Sequence, residues 1–120
     1  MYGYAPRKVA RLATEMGADI VGTNCGLFSY SEGTQILRQM REGTDRMLSL
    51  QPDAGMAQLV EGQTIHPATP EEMAAAAPEW IQAGARLVGG CCGTSLRHYA
   101  LLSAKVRELN RQTPAKTADR

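Results

Sequence analysis

Apolar residues recur at helical spacing over residues 6–16. Val9, Leu12, Ala13 and Met16 share one face, and Arg7, Lys8, Arg11 and Glu15 lie opposite. Pro6 suits a first helical turn and Gly17 a C′ position, so a helix is predicted there. Residues 19–24 read as a strand that ends at Cys25-Gly26, and 27–30 as a loop. Ser31 or Thr34 can cap a second helix reaching about Arg41, with Gly43 ending it. Residues 46–51 form a second strand, stopped by the turn chemistry of Pro52-Asp53-Ala54-Gly55. No clear period marks residues 56–68, which are expected to form a long irregular loop kept for a functional reason.

Thr69-Pro70-Glu71-Glu72 is a strong helix start: an N-cap, a proline at N1 and acids in the first turn. That helix should reach Gln82 and end at Gly84. An interior proline costs roughly 3 kcal/mol, so a kink or a restart is expected at Pro78. Residues 85–90 form the third strand. Thr94 or Ser95 caps a last helix lined on one face by Leu96, Ala100, Leu101, Ala104 and Leu109. Residues 1–112 thus form one modest domain, and 113–120 a disordered polar tail.

Helices alternating with short apolar strands indicate an α/β fold with a parallel sheet. In such sheets ligands sit at the C-terminal strand ends. Cys25, the 52–55 turn and the pair Cys91-Cys92 all fall there. The chemistry of the chain is therefore expected on one rim.

Composition removes other classes. A net charge of +1 over 120 residues gives no electrostatic reason for nucleic acid or a membrane surface as partner. One Trp and one Phe make a base-stacking surface improbable. No apolar run approaches the roughly 20 residues of a membrane span, and no signal-peptide pattern opens the chain. Three cysteines without an export signal read as reduced thiols in a cytoplasmic protein.

Those cysteines carry the sharpest signal. The stretch Leu87-Val88-Gly89-Gly90-Cys91-Cys92-Gly93-Thr94 ends a strand in two adjacent thiols. Adjacent cysteines pair poorly with each other, because a vicinal disulfide forces a strained ring. Together with Cys25 they suit a soft metal ion, with one position open for substrate. Buried, inert thiols are the plain alternative. A closed structural zinc site would want a fourth protein ligand, for which His66 and His98 are the histidine candidates; His98 is expected to cap or pack instead. Asn24 and Asp53, at strand ends, can line a pocket or shape the turns.

Asn24-Cys25-Gly26, Gln51-Pro52-Asp53-Ala54-Gly55 and Gly89-Gly90-Cys91-Cys92-Gly93-Thr94, in this order, resemble the homocysteine S-methyltransferase family over about residues 5–110. The resemblance implies the C-terminal part of a zinc-binding (β/α)8 barrel, about three βα units. It implies Cys25, Cys91 and Cys92 as zinc ligands, with the sulfur of homocysteine completing the tetrahedron. The implied reaction moves a methyl group onto the homocysteine thiolate and gives methionine. Methyl-cobalamin, methylfolate, S-methylmethionine, S-adenosylmethionine and betaine are all candidate donors.

The chain departs from the family pattern at Asp53, where asparagine is commoner, and at Pro78. The strand-end acidic groups that hold the homocysteine amino group belong to the family's N-terminal barrel half, which this chain lacks. It is therefore expected to need that half or self-association, and to be inactive and marginally stable alone. The alternative is a non-catalytic zinc- or thiol-binding module, or one half of a split barrel.

The residue types suit the chemistry. A free thiol has a pKa near 8.5 and is mostly protonated at neutral pH. Zinc deprotonates a bound thiol, and three cysteine thiolates around it leave the bound sulfur electron-rich, as three neutral histidines would not.

Overall fold

The computed structural model describes residues 3–26 and 28–112. In chain order its elements are α1 (Pro6–Glu15), β1 (Ile20–Asn24), α2 (Tyr30–Gly43), β2 (Met47–Gln51) and β3 (Gln58–Val60). Then come β4 (Gln63–Ile65), α3 (Pro70–Gln82), β5 (Ala85–Val88) and α4 (Leu96–Gln112). The tail expected over 113–120 lies outside the described residues. Among the described residues, no helix is long and apolar enough to cross a membrane.

Three strands make a parallel sheet in the order β1-β2-β5, alternating with helices as the sequence predicts. The register aligns Ile20 with Met47, Gly22 with Ser49 and Asn24 with Gln51. All three strands therefore end on one rim. The middle of the β1–β2 pair is close-fitting, because a Cβ at Gly22 would collide with the Ser49 hydroxyl.

One face of this sheet carries the core. Val21, Leu48, Leu50 and Ala85 point from the strands into it, and Leu37, Met40, Met73, Ala77, Trp80 and Leu102 meet them from the helices. Trp80 sits edge-on to Tyr30, with ring centroids 5.3 Å apart and planes at 75°. The other face stays open: Ile20, Met47 and Leu87 are 47%, 41% and 47% exposed. Among the described residues a helix layer covers only one side, and the molecule measures 46 × 40 × 19 Å.

Several expectations are corrected. Residues 56–68 are not irregular throughout, since β3 and β4 pair as an antiparallel hairpin. Glu61 and Gly62 form its two-residue turn with φ of +51° and +79°, the left-handed pair that matches the twist of short hairpins. The cap of α2 is Ser29 rather than Ser31 or Thr34, because Glu32 returns the bond: Ser29 Oγ accepts from the Glu32 N–H, and Glu32 Oε1 from the Ser29 N–H. α3 runs unbroken through Pro78, so the helix does not restart there. Its capping box at Thr69 and Glu72 and its buried Met73, Ala77 and Trp80 hold the helix on both sides of the proline.

Two helices are rotated from their expected faces. On α1 the buried residue is Ala10, and Val9, Leu12 and Met16 are exposed. The apolar stripe of that helix has no cover among the described residues. On α4 the buried residues are His98 and Leu102, whereas Leu96 is 88% exposed. Hydrogen bonds of His98 fix this rotation. Ser95 Oγ accepts from the His98 N–H, and His98 Nδ1 accepts from the Ser95 N–H at 3.1 Å, a capping box with histidine as the reciprocal partner. An accepting Nδ1 places the ring proton on Nε2, which donates to Ala68 O at 2.9 Å.

Candidate metal centre

Three backbone ladders deliver the site. The Cys25 N–H donates to Gln51 O at 3.0 Å, the Cys91 N–H to Pro52 O at 2.9 Å, and the Ala54 N–H to Cys92 O at 2.8 Å. The rims of β1, β2 and β5 are thus stitched together beyond the regular sheet. Cys25 has φ of +54° and Gly26 of +84°, so the chain turns left-handed as it leaves β1. A non-glycine residue pays for that conformation, and such outliers cluster at functional sites.

After β5 the chain is irregular, as two neighbouring ligands require, because regular strand residues alternate faces. Thr94 Oγ1 donates to Cys91 O at 2.6 Å and closes the turn, leaving Ser95 as the helix cap. Gly93, at φ +78°, packs against His66, and a Cβ there would run into the imidazole. His66 in turn lies 3.2 Å through Nδ1 from Gly55 O.

Cys25, Asp53, Cys91 and Cys92 bring one ligand atom each into a cluster whose members all lie within 4.8 Å of one another. Cys25 Sγ and Cys92 Sγ are 3.7 Å apart, and all three cysteines are free. The expected trio therefore converges. Neither candidate histidine joins it: His66 packs on the Gly93 turn, and His98 caps α4 as expected. Asn24 is the last residue of β1, immediately before Cys25.

Asp53 is the member that sequence reasoning left among possible turn formers. It does both jobs. Its Oδ1 accepts from the Cys92 N–H at 3.0 Å, and its backbone O receives the Gly55 N–H and the Tyr30 hydroxyl. The available signal was its place: a carboxylate on the same rim as the cysteines. Burial pushes the Tyr30 hydroxyl up to about 12, so it stays a donor.

The acidic groups crowd one another. The Cys92 thiol is pushed up to about 12, first by its contact with Cys25, then by Cys91 and the Asp53 charge. At Cys25 the Gly26 backbone and Cys92 pull the other way, but Asp53, Cys91 and burial prevail and the thiol is raised. Negative charge close by disfavours thiolates, and a bound cation would reverse that logic.

The residues fit zinc. A tetrahedral ion with Zn–S bonds of ~2.3 Å sets its sulfurs ~3.8 Å apart. The 3.7 Å between Cys25 and Cys92 matches that separation. Three sulfurs with a carboxylate is a donor set that zinc accepts.

Comparison with known proteins places the chain among relatives. The chain is 33% identical over 97 residues to the methionine synthase of Mycobacterium tuberculosis, covering 80% of this chain and 8% of that protein. It is 33% identical over 96 residues to the methionine synthase of Mycobacterium leprae, covering 79% and 8%. The chain therefore spans about a twelfth of the length of these curated relatives, by the ratio 8%. The homocysteine S-methyltransferase family model matches residues 1–106, and the chain belongs to that family.

Proposed function

We propose that this chain is the zinc-bearing part of a barrel that methylates homocysteine on sulfur and yields methionine. One observation carries the reading: three cysteine sulfurs from β1 and the β5–α4 turn meet on the rim of a parallel sheet. The family match and the two methionine synthase relatives agree with it.

Cys25, Cys91 and Cys92 would hold the ion, with Asp53 beside them. When bound, zinc turns a coordinated thiol into a thiolate at neutral pH and fixes its orientation. The chain's own residues do the rest. The 89–93 backbone holds adjacent cysteines on one side, Asp53 fixes the Cys92 amide, and the open sheet face leaves room for a thiol substrate. The methyl donor is not specified by any residue of this cluster.

The exposed stripe of α1, the free edges of β1 and β5, and the open sheet face all call for cover. We read that cover as the remaining strands of the barrel, in another polypeptide segment, or as a second copy of this chain. The competing reading is a zinc- or thiol-binding module without catalysis. It would be favoured by a chain that loads zinc, binds thiols and never transfers a methyl group, even with the other barrel strands supplied.

The deciding experiment is metal content of the purified chain, beside Cys25→Ser and a Cys91→Ser/Cys92→Ser double variant. One zinc per chain, lost in both variants, is the expected result. Well-folded wild-type chain that takes up no zinc would overturn the reading for the isolated chain.

A further inference from the structure

The backbone of Cys92 is held on both sides. Its N–H donates to Asp53 Oδ1 at 3.0 Å, and its C=O accepts from the Ala54 N–H at 2.8 Å. From Ala54 the hydrogen bonds continue. Ala54 O accepts from the Ala68 N–H at 3.0 Å, closing the base of the excursion that carries the β3–β4 hairpin. Ala68 O accepts from His98 Nε2 at 2.9 Å, and His98 Nδ1 accepts from the Ser95 N–H at 3.1 Å. Ser95 follows Cys92 by three residues, so the path returns to its start. This circuit joins the turn after β2, the entry to α3 and the turn after β5. Its one side-chain member is His98, which is buried.

A helix cap alone does not call for histidine. The capping boxes of α2 and α3 use Glu32 and Glu72 at the equivalent position, and each accepts one bond from its own N-cap amide. A carboxylate has no proton to give. At position 98 it would satisfy the Ser95 N–H and leave Ala68 O, 30 positions upstream, without its donor. Neutral imidazole carries an acceptor and a donor on one rigid ring, and here both are engaged. The bond from Nε2 adds nothing to the cap of α4. What it fixes is Ala68 and, through Ala54, the carbonyl of Cys92.

We propose that His98, as the neutral tautomer with its proton on Nε2, is a positioning residue of the sulfur cluster. It clamps the turn after β5 against the turn after β2 and so sets where Cys92 Sγ meets Cys25 Sγ, 3.7 Å away. The inference rests on the metal-binding reading above. Groups that orient metal ligands without touching the ion change affinity by about 10–100-fold when removed. His98 acts on Cys92 through two intervening residues, Ala68 and Ala54, so the lower end of that range, about tenfold, is expected.

The test titrates cobalt(II) into the full chain and reads both the affinity and the absorption bands of the folded protein. His98→Gln keeps an acceptor for the Ser95 N–H and a donor for Ala68 O. His98→Asn keeps the acceptor, but its shorter side chain does not reach Ala68. The glutamine variant should bind cobalt as wild type does. The asparagine variant should bind about tenfold more weakly, with shifted absorption bands. Were His98 only a cap, all three chains would share one affinity and one spectrum and differ only in the unfolding midpoint of the metal-free protein.

That pattern would overturn the inference and leave the proposed function standing. Should His98→Asn not fold, the wild-type chain carries the test. Zinc loading should slow amide hydrogen exchange at Ala54 and Ala68 together with Cys92, and the ring nitrogen NMR shifts of His98 should report the proton on Nε2. A proton on Nδ1, or exchange at Ala68 that zinc leaves untouched, would overturn the inference alone. A well-folded wild-type chain that takes up neither metal would overturn both.

Discussion

The backbone amide of Cys92 is tied to the carboxylate of Asp53, N to Oδ1, at 3.0 Å. This bond joins the turn after β2 to the paired cysteines after β5, and it holds a buried carboxylate against the sulfur cluster. Asp53→Asn keeps an oxygen acceptor for the Cys92 N–H. Asp53→Ala leaves that amide unpaired, which costs about 1–3 kcal/mol. Denaturant unfolding of both variants should place the asparagine variant close to wild type and the alanine variant clearly below it.

Thiol titration gives a second expectation. The Cys92 thiol is raised to about 12, first by its contact with Cys25 and then by Cys91 and Asp53; the Cys25 thiol is also raised, because Asp53, Cys91 and burial outweigh the lowering by the Gly26 backbone and Cys92. A folded-state pKa above the ordinary thiol value favours the protonated folded chain. This contribution to stability is complete below about pH 9 and is lost as pH rises toward 12. Metal-free chain should therefore lose stability over that window, and Cys92→Ser should flatten the loss. Melts at stepped alkaline pH, with and without the substitution, measure it.

Metal uptake by such thiols must release protons. Titrating zinc into the chain at neutral pH, in buffers of differing ionisation enthalpy, should show release of more than one proton per ion. Apparent affinity should fall as pH is lowered. Proton-neutral binding would contradict coordination by these thiols.

The Gly93–His66 contact makes a two-part prediction. Gly93→Ala forces a Cβ into the imidazole and places alanine at φ +78°. Because the nearest atom is the His66 Cβ, it takes His66→Gly to relieve the collision, and even that leaves the backbone term, roughly 1–2 kcal/mol. A double-mutant cycle should therefore show partial rescue, read in both stability and metal content. Full additivity would mean that His66 does not brace the turn.

Trp80 is fully buried, yet its Nε1–H has no partner among the described residues. Trp80→Phe removes that unsatisfied donor along with some volume, and the two effects oppose. The expected change is within about 1.5 kcal/mol, against about 3–5 kcal/mol for Trp80→Ala. Thermal unfolding of the pair would decide it.

The sequence marked the parallel strands and the cysteine trio because each strand ends in its own punctuation: Cys25-Gly26, the Pro52-Asp53-Ala54-Gly55 turn, and Gly89-Gly90. Those signals are local. The orientation of α1 and α4 is not local: it depends on where Ala10 and His98 find partners, and on a neighbour for Val9, Leu12 and Met16 that these residues do not include. The β3–β4 hairpin was missed because its strands are three residues each, too short for a period to emerge. Its one legible mark was Glu61-Gly62 between Leu59-Val60 and Thr64-Ile65. Asp53 was missed as a cluster member because one residue type serves equally in turns and at metal centres. Only the Cys92 amide and the nearby sulfurs distinguish the roles.

Cys25 and Cys92 stand 67 positions apart in the chain. An ion that grips both acts as a latch on the order of assembly. The loop it closes spans α2, β2, the hairpin, α3 and β5, and closing a loop costs entropy that grows with its length. Cys91 and Cys92, being neighbours, can seize an ion early, but the third sulfur arrives only when β1 and β5 flank β2. Full occupancy is therefore a checkpoint on the finished sheet. A misthreaded chain would show itself first as a weakened grip on metal.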